Sequence, residues 1–160
     1  IYADRAARMG DEPLYTFKQD GDWHTKTANE TLADIRAVAK GLLHYGLKKG
    51  DGVAFMCRTS YDWDVFDAAV MACGGVLATI YDTDSAEQIR NIVNNSDARL
   101  LVVETTDMKA KADGAETDCP TLEHIVCARC ANRFRAEDRS VLHCVHVRFD
   151  RRAEGRGDDA

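Results

Sequence analysis

The stretch that most limits what this chain can fold into runs from Gly74 to Glu104. An apolar run, Val76 to Tyr81, is cut by the polar turn Asp82-Thr83-Asp84, and Ser85 with Gln88 then spells the S-x-x-Q pattern of a helix capping box. Ala86, Ile89 and Val93 recur at helical spacing, Asn94-Asn95-Ser96-Asp97 stops the helix, and Leu100 to Val103 reads as a second buried strand. Strand, helix and strand with links this short make a β-α-β unit, and its two strands run parallel.

The pattern extends in both directions. Gly50-Asp51 turns the chain into Val53 to Cys57, an apolar run of the length of a fully buried strand. Ser60 or Asp62 can cap the next helix, whose Trp63, Phe66, Val70 and Cys73 share one face before Gly74-Gly75 ends it. A helix near Thr106 to Lys111 and a strand at His124 to Cys127 continue the alternation. Upstream, Ile1 to Asp11 reads as a short helix with Tyr2, Ala6 and Met9 on one face. Leu14 to Phe17 and Trp23 to Thr27 flank Asp20-Gly21, a dipeptide suited to a tight hairpin. Thr27 with Glu30 forms a second capping box, opening a helix with Leu32, Ile35, Ala39 and Leu42 as its apolar stripe. The fold class is therefore α/β: an N-terminal hairpin and helix leading into a β-α-β-α-β, mostly parallel sheet.

These motifs, in this order, resemble the early region of long-chain fatty acid-CoA ligases of the adenylate-forming (AMP-binding) superfamily. The family pattern I-Y-x-T-x-S-A-E-Q-I matches Ile80 to Ile89, the run Asn95 to Arg99 falls at its N-x-S-x-A, and a strand ending V-E matches Val102-Val103-Glu104. Its G-D-R-V-A, N-S-x-E-W and A-G-A-V patterns correspond to Gly50 to Ala54, Thr59 to Trp63 and Cys73 to Val76. Gly52 stands where the family usually has Arg, a departure expected to weaken a surface contact. The resemblance covers about residues 14–127, so residues 1–127 read as part of the large N-terminal domain of an adenylate-forming enzyme.

The resemblance implies a two-step reaction. A fatty carboxylate attacks the α-phosphate of ATP to give acyl-adenylate and pyrophosphate, and the coenzyme A thiol then displaces AMP. Fatty acid, ATP with magnesium, and coenzyme A are thus the implied substrates and cofactors of the whole enzyme. The family binds ATP phosphates with a Ser/Thr/Gly-rich loop ending Pro-Lys-Gly, and places a Tyr-Gly-x-Ser/Thr-Glu motif and a hinge lysine later in a much longer chain. None of these occurs here. The expectation is a truncated N-terminal portion of the ligase, with no catalytic, cofactor-binding or metal-binding residue of its own and no activity alone. Such a piece leaves part of its sheet uncovered and is expected to self-associate.

The residues by themselves offer little other chemistry. Asp62, Asp64 and Asp67 lie near a helix start, where carboxylates favour the positive end of the dipole and face water. His24 and His44 are lone histidines with structural roles. Neither a dinucleotide nor a P-loop glycine pattern occurs, nor a G-x-S-x-G elbow. A net charge of -6 disfavours a nucleic-acid binder. No apolar stretch reaches the roughly 20 residues of a membrane span, and Ile1 to Gly10 lacks a signal-peptide layout. A cytoplasmic location is expected, with peripheral membrane attachment of the whole enzyme left open. Cys57 and Cys73 read as reduced, small apolar residues. The first residue is Ile1, which suggests a start inside a longer reading frame.

Residues 128–160 differ. Residues 1–127 carry 13 Lys+Arg against 21 Asp+Glu, a charge of -8, whereas residues 128–160 carry 8 Arg, no Lys and 6 Asp+Glu, a charge of +2. Cys127, Cys130, His143 and His146 spell C-x2-C-x12-H-x2-H, close to a zinc-finger spacing. Against zinc stand the short H-x2-H, a strand assignment for Cys127, and Ser140 where a core Leu is usual. The competing reading is an atypical Arg-rich tail, produced by a frameshift or mis-called gene end and disordered toward Ala160. The alternative function is a stand-alone α/β binding or regulatory module, with or without a zinc-bearing tail.

Overall fold

The computed structural model describes residues 1–19, 21–128 and 147–148. Helix α1 (Tyr2–Met9) precedes a hairpin of β1 (Pro13–Gln19) and β2 (Asp22–Thr27), followed by α2 (Ala28–His44). Then come β3 (Gly52–Met56), α3 (Tyr61–Ala72), β4 (Val76–Ile80), α4 (Ala86–Asn95) and β5 (Ala98–Val103). Helices α5 (Thr106–Ala112) and α6 (Ala115–Asp118), strand β6 (His124–Cys127) and the two-residue β7 (Val147–Arg148) complete the described chain.

The helices begin where the sequence signals placed them. In α2 the Glu30 amide donates to Thr27 Oγ1 at 3.2 Å while the Thr27 amide donates to Glu30 Oε2 at 2.9 Å. In α4 the Gln88 amide donates to Ser85 Oγ at 3.3 Å and the Ser85 amide to Gln88 Oε1 at 2.8 Å. Both capping boxes therefore close. Ser60 caps α3 by accepting from the Trp63 amide, which settles the choice between Ser60 and Asp62.

The sheet order is β4-β3-β5-β6-β7, with the first four strands parallel and β7 antiparallel to β6. From β3 the chain moves one way to β4, then back across β3 to β5 and onward to β6. Right-handed crossovers in opposite directions require opposite faces. Accordingly α3 packs with α2 on the face of Val53, Phe55, Leu100 and Val102, whereas α4 and α5 pack on the face of Ala54, Met56, Leu101 and Val103. Strand β3, covered on both sides, is buried at all five positions, which is why its sequence is continuously apolar rather than alternating.

The hairpin docks on the α2–α3 face through Tyr61. Its ring stacks on Phe17 with centroids 4.9 Å apart and meets Tyr15 edge-on at 5.3 Å. Tyr61 Oη donates to Asp34 Oδ2 at 2.7 Å, and Lys26 from β2 donates to the same oxygen at 2.9 Å. One α2 carboxylate thus holds both the hairpin and the start of α3.

Three expectations need correction. Gly52 is buried rather than at the surface, and a Cβ there would lie 2.3 Å from the Ser96 carbonyl oxygen and 3.1 Å from Ala98 Cα. Backbone, not a lost surface contact, explains the glycine. Gly52→Ala is expected to cost about 1–3 kcal/mol, the range for overpacking a tight site, read as a lower urea midpoint at unchanged slope. Val76 is 57% exposed rather than facing a helix, because β4 is an edge strand that α4 covers only at its Ile80 end. Asp62, Asp64 and Asp67 are half-buried rather than open to water. Burial, then the Asp67 charge, pushes the Asp64 carboxyl above its ordinary range. Trp63 and Cys73, read as core-facing, do pack half-buried against the core on the α2–α3 face, and Val65 and Ala69 fill α3's buried stripe beside Phe66 and Val70.

Candidate functional site

In open parallel α/β sheets, ligands gather outside the carboxyl ends of the strands where the strand order reverses. Here that point lies between β3 and β5, whose last residues, Met56 and Val103, are register partners. The first charged side chains beyond them form a fork. Arg58 Nη2 donates to Glu104 Oε1 at 2.7 Å, and Arg58 Nε and the Arg58 amide both donate to Glu104 Oε2 at 3.1 Å. The Glu104 amide donates in turn to the Met56 carbonyl at 2.9 Å. Glu104 is 4% exposed, while the Arg58 side chain is 61% exposed. The carboxylate is an internal anchor and the guanidinium its lid at the surface.

The chemistry of this fork is restrictive. Both oxygens of the Glu104 carboxylate accept from Arg58, with the Cys57 thiol as an added weak donor, so it is built to hold the loop after β3 against the loop after β5. Burial, then the neighbouring Glu104 charge, pushes the Cys57 thiol up to about 12. At neutral pH it stays protonated, and a protonated thiol is neither a nucleophile nor a metal ligand. The hydroxyls of Ser60, Ser85 and Thr105, at the helix starts along this edge, accept the amides of Trp63, Gln88 and Met108. The edge is ordered and its polar groups serve the backbone.

A second charge cluster ties the opposite end of the sheet. Arg99 donates to Asp51 and, at 2.6 and 2.8 Å, to the two carboxylate oxygens of Glu123. A shallow recess beside it is lined by Tyr45, Leu47, Asp51, Leu100 and His124. This is the amino end of the strands, away from the switch point, and its charges pair among themselves. Burial pushes the Asp51 carboxyl up, but the Lys48 amide and the Arg99 guanidinium outweigh it and the net shift is downward. A depressed carboxyl contributes stability above its unfolded value and loses it as pH falls through its folded value. Asp51→Asn should therefore lower stability at pH 7 and flatten the acid limb of the urea midpoint below the ordinary carboxylate range.

No side chain was singled out from the sequence as catalytic, and neither cluster was read there. The available signal was slight: Arg58 and Glu104 are the first charged residues after two apolar runs. His24 stacks on Phe17 at 5.8 Å and His44 lies 6.1 Å from the Tyr45 ring, both on the surface. Of the zinc-spaced set, Cys127 is buried at the end of β6, while Cys130, His143 and His146 lie outside the described residues, as does most of the 128–160 tail. Among the described residues no group of three or more His, Cys, Asp or Glu converges to hold a metal. No described helix is long and apolar enough to cross a membrane.

Comparison with known proteins places this geometry. The chain is 35% identical over 119 residues to long-chain-fatty-acid--CoA ligase FadD15 of Mycobacterium bovis, an alignment covering 72% of this chain and 20% of the relative. It is 27% identical over 126 residues to long-chain-fatty-acid--CoA ligase ACSBG2 of Xenopus laevis, covering 79% of this chain and 17% of that one. The chain thus spans about one-fifth of the length of the curated relatives it matches. Among solved structures, the anthranilate CoA ligase AuaEII in complex with anthranoyl-AMP shares the fold with a TM-score of 0.70 at 18% identity, over 79% of this chain and 23% of that one. The R395G mutant of coronafacic acid ligase from Pectobacterium brasiliense does so with a TM-score of 0.69 at 17% identity, over 87% of this chain and 26% of that one. Residues 2–149 match the AMP-binding enzyme family along nearly the whole chain, and the protein belongs to that family.

Proposed function

We propose that this chain is an N-terminal portion of a long-chain fatty acid-CoA ligase, and that it serves the reaction as scaffold rather than as catalyst. The whole enzyme would join a fatty carboxylate to AMP from ATP, releasing pyrophosphate, and then transfer the acyl group to the coenzyme A thiol with loss of AMP. The observation that carries the reading is the 35% identity to a long-chain-fatty-acid--CoA ligase over 119 residues. The Arg58–Glu104 fork supports the scaffold role, because it fixes the carboxyl edge of the sheet while committing its charges to each other. Charge stabilisation in such a reaction needs donors aimed at the phosphates, and this chain's switch point presents a neutralised pair instead.

The test is a transplant. Residues 14–127 replace the aligned segment of the Mycobacterium bovis ligase, and the chimera is assayed for acyl-CoA formation from a long-chain fatty acid. Activity of the chimera, with none for the isolated chain, is the expected result. A folded but inactive chimera would overturn the assignment. The isolated chain is expected to give no heat of ATP binding in calorimetry and no palmitate-dependent pyrophosphate release, and a micromolar ATP site on it would overturn the scaffold role.

A further inference from the structure

We draw no further inference here: the strongest candidate, the exposed Arg58 guanidinium over the buried Glu104 carboxylate at the carboxyl edge of the sheet, belongs to the site already described, and nothing in the structure shows what it would meet there.

Discussion

Truncating Phe66 or Ile89 to Ala should lower the unfolding free energy by roughly 3–5 kcal/mol in urea denaturation, because each removes a large side chain from a packed face and leaves a cavity. The two lie on opposite sides of the sheet. Phe66, 6% exposed, stacks on Phe55 of β3 with ring centroids 4.1 Å apart. Ile89, fully buried, belongs to the cluster of Ile80, Leu101 and Val103. For a domain of ordinary stability, about 5–15 kcal/mol, either change removes a large share of the total. Asp64→Asn on the same helix as Phe66 is the control. Its folded carboxyl is raised by burial and by Asp67, so its contribution is complete below the unfolded value and is lost as pH rises through the folded one. Removing that charge at pH 7 should leave stability within about 0.5 kcal/mol, or slightly raise it. Equal losses for Phe66→Ala and Asp64→Asn would mean that the two-faced sheet is wrong.

Breaking the Arg58–Glu104 fork should have the second largest effect, and an asymmetric one. Arg58→Ala leaves a buried carboxylate with the residue-58 amide and a weak thiol donor in place of a guanidinium. Removing one partner of a buried pair costs about 3–5 kcal/mol, and the solvent reaching Arg58 should reduce this to roughly 2–4. Glu104→Gln keeps the shape and returns a half-exposed guanidinium to water, so it should cost less. The double change Arg58→Ala with Glu104→Leu should recover most of the Arg58→Ala loss, since no uncompensated charge remains. If Glu104→Gln proves the costlier single change, the fork does not act as the lid on a buried charge. In the chimera, Arg58→Ala should slow acyl-CoA formation beyond its effect on stability if the fork orders the carboxyl edge for the rest of the enzyme.

What the sequence determined by itself was local. Thr27 with Glu30 and Ser85 with Gln88 mark helix starts because a hydroxyl and an acid or amide three residues apart can satisfy each other's backbone donors without help from the rest of the chain. The apolar runs at Val53 to Cys57 and Leu100 to Val103 declared buried strands for the same reason: composition over five residues reports burial on both faces. Helix α6, four residues without a side-chain cap, had no such signal and was not read. The family likeness, too, was legible in short ordered motifs. Tertiary structure alone decided the rest. Position 52 belongs to glycine because the Ser96 carbonyl, 44 residues away in sequence, passes where a Cβ would be. Val76 is exposed because β4 became an edge, and edges are assigned by strand order, which periodicity does not encode. Arg58 and Glu104 meet across 46 residues only because β3 and β5 are neighbours. A pairing between distant positions has no local pattern to announce it, so the clamp at the switch point became visible only once the crossovers had chosen their faces.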